Sequence, residues 1–326
     1  GVVVVPGSGT FGMEAVARQY ASDSDVLVVR NGWFSYRWSQ IFEMGCIPSS
    51  ETVLKARRVQ EGHQAPFAPV PIDELVSRIQ SERPSVVFAP HVETSAGMIL
   101  PDAYIRDAAA AVHSVGGLFV LDSIASGAMW VDMEDCGVDV LISAPQKGWS
   151  GSPCCAVVML SPRALDRLHT TRSSSFACDL GKWHQIMQAY EQGGHAYHAT
   201  MPTDGLRGFI EVVHETGIFG FDAAKRAQQE LGLGVRQVLE SRGYPSVAAE
   251  GFQAPGVVVS YTDDLEVKSG ARFAAAGMQI AAGVPLAIDE GDDFRTFRIG
   301  LFGLDKLKNV GRTISSFERV VDGFDT

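Results

Sequence analysis

The sequence predicts an α/β protein: a large domain built on a mostly parallel sheet, followed by a small C-terminal α+β domain. Three observations predict it. Apolar runs of strand length alternate with longer segments of helical period. Those runs are rich in β-branched residues, as strands buried on both faces are, and several end in Gly, Pro, Asp or Ser. The pattern then changes beyond Pro245 to shorter strands and helices.

In chain order, strands are expected at residues 2–5, 26–29, 86–89, 118–121, 138–143 and 156–160, with helices at 12–20, 36–44, 72–80 and 102–115. From 203 to 242 the apolar spacing is helical, through Leu206, Phe209, Ile210 and Val213 and later Leu231, Val235, Val238 and Leu239, with a glycine-rich break at 217–220. Short strands at 257–261, 278–281 and 296–299 and helices at 266–275 and 305–321 complete the small domain. The predicted division is 1–242 and 243–326; 326 residues suffice for two domains of ~100–200 residues each.

Composition narrows the function. Lys and Arg number 27 against 38 Asp and Glu, a net charge of −11, and no long basic run interrupts the balance. A surface of that sign does not attract a phosphate backbone or an anionic membrane, so neither nucleic acid nor membrane is an expected partner. The apolar runs are far shorter than the ~20 residues of a membrane helix, and no secretory leader is expected at Gly1. Five cysteines without CxxC spacing point to a reducing, cytoplasmic setting.

Three segments carry chemistry. Val2-Val3-Val4-Val5 leads into Pro6-Gly7-Ser8-Gly9-Thr10-Phe11-Gly12, a strand, a glycine-rich turn and a helix start, where unpaired N–H groups and the helix dipole favour a phosphate. The same glycines satisfy G-x-G-x-x-G, but the next strand ends in Arg30 instead of the acidic residue that holds a dinucleotide ribose. Asp122 closes the apolar run Leu118-Phe119-Val120-Leu121, at the strand end where open parallel sheets bind ligands. Taken alone it also reads as a helix cap; no His, Cys or carboxylate cluster at metal spacing accompanies it. Lys147 follows the run ending at Ser143 in a weakly polar context, where desolvation lowers an amine's pKa and makes it nucleophilic. An anion cradle, a strand-end carboxylate and an activated lysine are together what pyridoxal 5′-phosphate requires.

The chain resembles the class V, fold-type I aminotransferases that use pyridoxal 5′-phosphate, especially the alanine–glyoxylate and serine–pyruvate branch. The resemblance rests on Gly7-Ser8-Gly9-Thr10 with Glu14-Ala15, Asn31-Gly32-Trp33-Phe34, His91-Val92-Glu93-Thr94-Ser95-Ala96-Gly97, Asp122-Ser123-Ile124-Ala125-Ser126, Gln146-Lys147, Tyr197-His198-Ala199-Thr200 and Phe297-Arg298-Ile299-Gly300, in family order along nearly the whole chain. It implies that Lys147 binds the cofactor aldehyde and that Asp122 keeps the ring nitrogen protonated. Ser8, Gly9, Thr10 and Gln146 would hold the phosphate, Phe34 and Ile124 would flank the ring, and Thr94 would approach its phenolic oxygen. Tyr197 and Thr200 would reach the neighbouring subunit's phosphate in a homodimer, and Arg298 would clamp the substrate α-carboxylate.

The implied reaction moves an amino group between a small amino acid, alanine- or serine-like, and a 2-oxo acid such as glyoxylate or pyruvate. Relatives begin with an N-terminal arm that lines the substrate pocket, and the match here starts after it. Thr10, Pro145 and Ala282-Gly283 depart from the family pattern near the pocket. Two alternatives remain on the residues. One is a lyase of the same fold, cysteine desulfurase-like, with Cys154-Cys155 as its reactive thiol; the other is a nicotinamide-dependent oxidoreductase built on the glycine turn.

Overall fold

A computed structural model describes residues 1–325. Seven strands form the central sheet, in the spatial order Val2–Pro6, Cys155–Leu160, Val140–Ser143, Leu118–Asp122, Val86–Pro90, Asp25–Arg30 and Ser50–Lys55. Cys155–Leu160 runs antiparallel to both neighbours, and the other strands are parallel to one another. Side chains alternate between two cores, as a period of two requires. Val86 and Phe88 pack with Trp38 and Phe42 on one face, while Val87 and Ala89 pack with Leu75, Ile79 and Ile105 on the other.

All six strands expected in the large domain form, with shifted ends such as Val140–Ser143 where 138–143 was expected. The strand of the central sheet that sequence reasoning passes over is Ser50–Lys55. It is an edge strand, polar and half exposed, and lacks the apolar run that marks its neighbours. Three helices, the short Met133–Cys136 among them, also escape the apolar period and are set by their caps. Ser161 accepts the Ala164 N–H at 3.2 Å at the start of Pro162–Thr170, and Asp179 accepts the Lys182 N–H at 2.9 Å at the start of Leu180–Glu191.

The long helical stretch divides into Thr203–Phe219 and Phe221–Glu240, broken at Gly220 alone. Phe221–Glu240 buries Leu231, Val235 and Leu239 in one core with Val258, Phe273, Phe297 and Phe317 of the C-terminal region. There a three-stranded antiparallel sheet centres on Thr296–Gly300, between Val257–Tyr261 and Ala281–Ala282. The strand expected at 278–281 shrinks to Ala281–Ala282. Both expected terminal helices split: 266–275 at Gly270, whose φ of +82° a helix does not accommodate, and 305–321 between Leu307 and Val310. A further apolar cluster, including Val92, Ala96 and Met98 with Val247, Val259 and Leu286, packs the small sheet against the segment that follows Val86–Pro90. Among the described residues no helix is long and apolar enough to cross a membrane.

Candidate functional site

The site forms at the carboxyl end of the parallel strands. Asp122 lies there in register with Pro90 on one side and Ile142 on the other, and the chain leaves both neighbours as loops carrying Thr94 and Lys147. Its carboxylate is buried, at 8% exposure, and accepts one hydrogen bond, from the Ile124 N–H at 3.0 Å. Burial first, and then the charge of Glu93, push its pKa up to about 7, although the Ile124 N–H and Arg37 pull the other way.

Lys147 sits in the turn after Val140–Ser143, half-buried. Desolvation, with the nearby charges of Arg298 and Arg37, lowers its pKa below the ordinary lysine value. Beside it the amide oxygen of Gln146 is buried without a partner. Ser8 stands at the N-cap position of the helix Gly9–Tyr20 without a side-chain capping bond, and the first N–H groups of that helix have no preceding turn to bond. A side chain at Gly9 would place its Cβ 2.6 Å from Ile124 Cδ1, so glycine is needed for the turn to approach the loop after Asp122.

Phe34 opens the helix Trp33–Gly45, which is held at its N-terminus by Glu93. That fully buried carboxylate accepts the N–H groups of Phe34 and Ser35 and the hydroxyl of Ser35, and also the N–H and hydroxyl of Ser95. Gly32 leaves room for this junction, where a Cβ would lie 2.2 Å from Ser95 Oγ. Glu93 therefore locks the Phe34 helix to the loop carrying Thr94. One turn along, Arg37 donates to Thr10 Oγ1 at 3.1 Å, and its guanidinium lies 5.4 Å from the centre of the Phe34 ring.

Arg298 approaches the same ring at 5.9 Å, from the central strand of the small sheet, and its Nε donates to the Ala282 carbonyl at 2.9 Å. It donates no hydrogen bond to Asp293, and Arg295 is exposed. Contacts or mutual electrostatics thus join Gly9, Thr10, Phe34, Asp122, Ile124, Lys147 and Arg298. Tyr197 and Thr200 stand apart. Both are exposed, Tyr197 at 80%, on the loop beyond Leu180–Glu191.

Sequence reasoning missed two residues. Arg37 stands three residues after Phe34, a helical spacing that places the two on one face. Glu93 lies inside a quoted motif, but its five donors come from segments that only the fold brings together.

The same geometry tests the group that these residues suit. Asp122 is a buried carboxylate facing no bonded cation, Lys147 an amine among cations, and Ser8–Thr10 a helix start with free donors. A protonated ring nitrogen, an aldehyde and a phosphate match these three in turn, so pyridoxal 5′-phosphate fits the residues present. The vicinal thiols do not fit a lyase's mobile nucleophile. Both are buried, their sulfurs 3.7 Å apart, and burial pushes the Cys155 thiol up to about 12. Arg30, which stands where a dinucleotide fingerprint wants an acidic residue, is buried against Ser39 and the Tyr36 ring.

Comparison with known proteins agrees with this chemistry. The family model for Aminotransferase class-V matches residues 54–281. A soluble hydrogenase small subunit from Synechococcus sp. is 25% identical, covering 98% of this chain and 79% of its own. The 2-aminoethylphosphonate–pyruvate transaminase 2 of Paraburkholderia xenovorans is 28% identical, covering 92% and 77%. Among solved structures, an alanine–glyoxylate aminotransferase from Nostoc sp. superposes with a TM-score of 0.79 at 20% identity, covering 98% of this chain and 81% of that one.

Proposed function

Because the chain belongs to the class-V aminotransferases, and so is a transaminating enzyme with pyridoxal 5′-phosphate as its cofactor, we propose that it exchanges an amino group between a small amino acid and glyoxylate, pyruvate or a similar 2-oxo acid at the site around Lys147. The observation that carries this reading is the pairing of Asp122 and Lys147. One is a buried carboxylate with a single neutral donor, the other an amine crowded by two guanidinium groups, and both stand at one end of one sheet.

Bound pyridoxal 5′-phosphate supplies an electron-accepting ring and a carbonyl carbon that condenses with amines. Lys147 would hold that carbon and, once its amine is released, move a proton between the substrate α-carbon and the cofactor C4′. A lowered pKa suits this work, because the amine must be unprotonated to attack and to take the proton. Asp122 would keep the ring nitrogen protonated, and in doing so would gain the cation that its buried position lacks. Ser8, Gly9, Thr10 and Gln146 would hold the phosphate, with Arg37 adding its charge through Thr10. Phe34 and Ile124 would flank the ring, and Thr94 would meet its phenolic oxygen.

Arg298 would orient the substrate through its α-carboxylate, so that the scissile C–H bond faces the ring. Pyruvate is the acceptor in the name of the Paraburkholderia relative, which supports a 2-oxo acid of that size. A homodimer with shared sites is part of the proposal, supported by the exposure of Tyr197 and Thr200, which leaves both free to reach a second copy. We keep the division at residue 242, giving 1–242 and 243–326, with Phe221–Glu240 as the element that carries the large domain into the small core.

Borohydride reduction of the loaded enzyme, followed by peptide mapping, tests the centre of this reading. Cofactor fixed on Lys147, and lost with all turnover in Lys147→Ala, is the expected result. A stable adduct on another lysine would overturn the assignment. Screening alanine, serine, aspartate and 2-aminoethylphosphonate against glyoxylate and pyruvate then identifies the substrates.

A further inference from the structure

Away from Lys147, a cleft of about 410 Å³ opens between the helix Phe221–Glu240 and the loops that follow Val86–Pro90 and Leu118–Asp122. That volume lies in the range of small-molecule sites. The helix presents Lys225, Gln229, Gly232 and Arg236 to it, positions that recur on one helical face. Gly232 brings the opposite wall close, since a Cβ there would lie 2.4 Å from Pro255 Cα.

Arg236 is the unusual member. It is 4% exposed, and its two terminal nitrogens donate to the Ser246 hydroxyl and the Ala254 carbonyl, at 2.9 Å each. Both acceptors are neutral. A buried guanidinium with neutral partners keeps most of the cost of desolvation, and burial lowers its pKa to about 10 although Glu240 opposes the change. Lys225 uses one of its three protons on the Trp130 carbonyl, at 3.2 Å. His91 stands beside them uncharged, its Nδ1 held 2.7 Å from Ser126 Oγ, because burial with the charge of Lys225 drives its pKa down to about 3. Among the described residues lining the cleft the one carboxylate is Asp102, exposed at the start of the helix Asp102–Ser114. Leu100, Met129, Trp130 and Pro255 supply an apolar wall.

We propose that this cleft binds a small organic carboxylate, with its anionic head on Lys225 and Arg236 and its apolar body against Met129 and Trp130, at a site separate from the one around Lys147. Cationic donors beside an apolar wall select a carboxylate with a hydrocarbon body over a bare inorganic anion. The guest supplies Arg236 with a directly bonded counter-charge, which Glu240, acting on it only through its field, does not provide.

Equilibrium dialysis of radiolabelled phenylacetate against the cofactor-loaded protein tests this, with inorganic phosphate as competitor. Arg298→Ala serves as background, because it removes the carboxylate clamp proposed for the other site. In that background one saturable equivalent of phenylacetate should remain, and phosphate should displace it poorly. Adding Lys225→Met or Arg236→Met should weaken binding at least tenfold, and Lys225→Met alone should leave kcat/KM for transamination unchanged. Lys225 is only half-buried, so its variant reports even where Arg236→Met fails to fold. Three results would each overturn the proposal: loss of all saturable binding in Arg298→Ala, unchanged binding in Lys225→Met, or displacement by phosphate as readily as by propionate.

Discussion

Asp122 and Asp139 are buried aspartates at opposite ends of neighbouring strands, and the chain treats them differently. Asp139 precedes Val140–Ser143 at the amino end of the sheet. Its carboxylate meets His113 Nε2 at 2.8 Å, the Phe119 N–H at 2.8 Å, the Ser161 hydroxyl at 3.0 Å and Arg163 Nε at 3.5 Å. Asp122, at the carboxyl end, has the Ile124 N–H alone. A buried carboxylate is tolerated when its lone pairs are satisfied, and only at the amino end does this chain satisfy them by itself. The amino end is thus finished as structure. The carboxyl end is left open, at the edge where parallel sheets receive ligands.

Removing each carboxylate tests that contrast most severely. Asp122→Ala should slow the first half-reaction by about 3–5 kcal/mol of barrier, roughly 150-fold to several-thousand-fold, with the fold intact by circular dichroism. Asp139→Ala should do the opposite: a loss of about 3–5 kcal/mol in stability by denaturant titration, with near-normal turnover in the folded fraction. An Asp122 variant that unfolds while its turnover persists would break the comparison.

Arg298 and Arg295 repeat the contrast on one strand and its approach. Arg298 is half-buried over the Phe34 ring, whereas Arg295 faces solvent. Arg298→Ala should lower kcat/KM for amino acids by a factor corresponding to ~2–5 kcal/mol, Arg298→Lys by less because the planar fork is lost but the charge is kept, and both should retain cofactor. Arg295→Ala should change little. The reverse ranking would move the carboxylate clamp to Arg295.

What the sequence revealed follows the same division. Asp122 and Lys147 were legible because each ends or follows an apolar run, and the Gly7–Thr10 turn because glycine and a helix start leave a local signature. Ser50–Lys55 was not legible because Ser50, Glu51, Thr52 and Lys55 are polar and it is half exposed, unlike the other edge strand, Val2–Pro6. Glu93 gathers donors from Phe34 and Ser35, which are distant in sequence, and no local pattern encodes such a meeting. The break at Gly220 shows the same limit. Six glycines, Gly205, Gly208, Gly217, Gly220, Gly232 and Gly234, lie in or between these two helices, and tertiary packing decides which one ends a helix.

The smallest expected effect sharpens the comparison through pH. In cofactor-free protein the Asp122 carboxyl stands at about 7, well above the ordinary aspartate value of 3.8. A raised carboxyl binds its proton more tightly in the folded chain than in the unfolded one. Its contribution to stability is therefore full below the unfolded value and declines as pH rises through the folded one. Asp122→Asn keeps an acceptor for the Ile124 N–H but removes the titration. At pH 8 the cofactor-free variant should accordingly melt higher than cofactor-free wild type, by roughly 2–4 °C for each kcal/mol recovered, and the gap should close towards pH 5. Loading the cofactor should invert the order at pH 8, because wild type then pairs its carboxylate with a ring cation and the amide cannot. Scanning calorimetry of both proteins, with and without cofactor at pH 5 and pH 8, measures all of this. A gap that does not vary with pH would mean that folding leaves the Asp122 carboxyl at its unfolded value, and the reading of a buried, uncompensated carboxylate would fall.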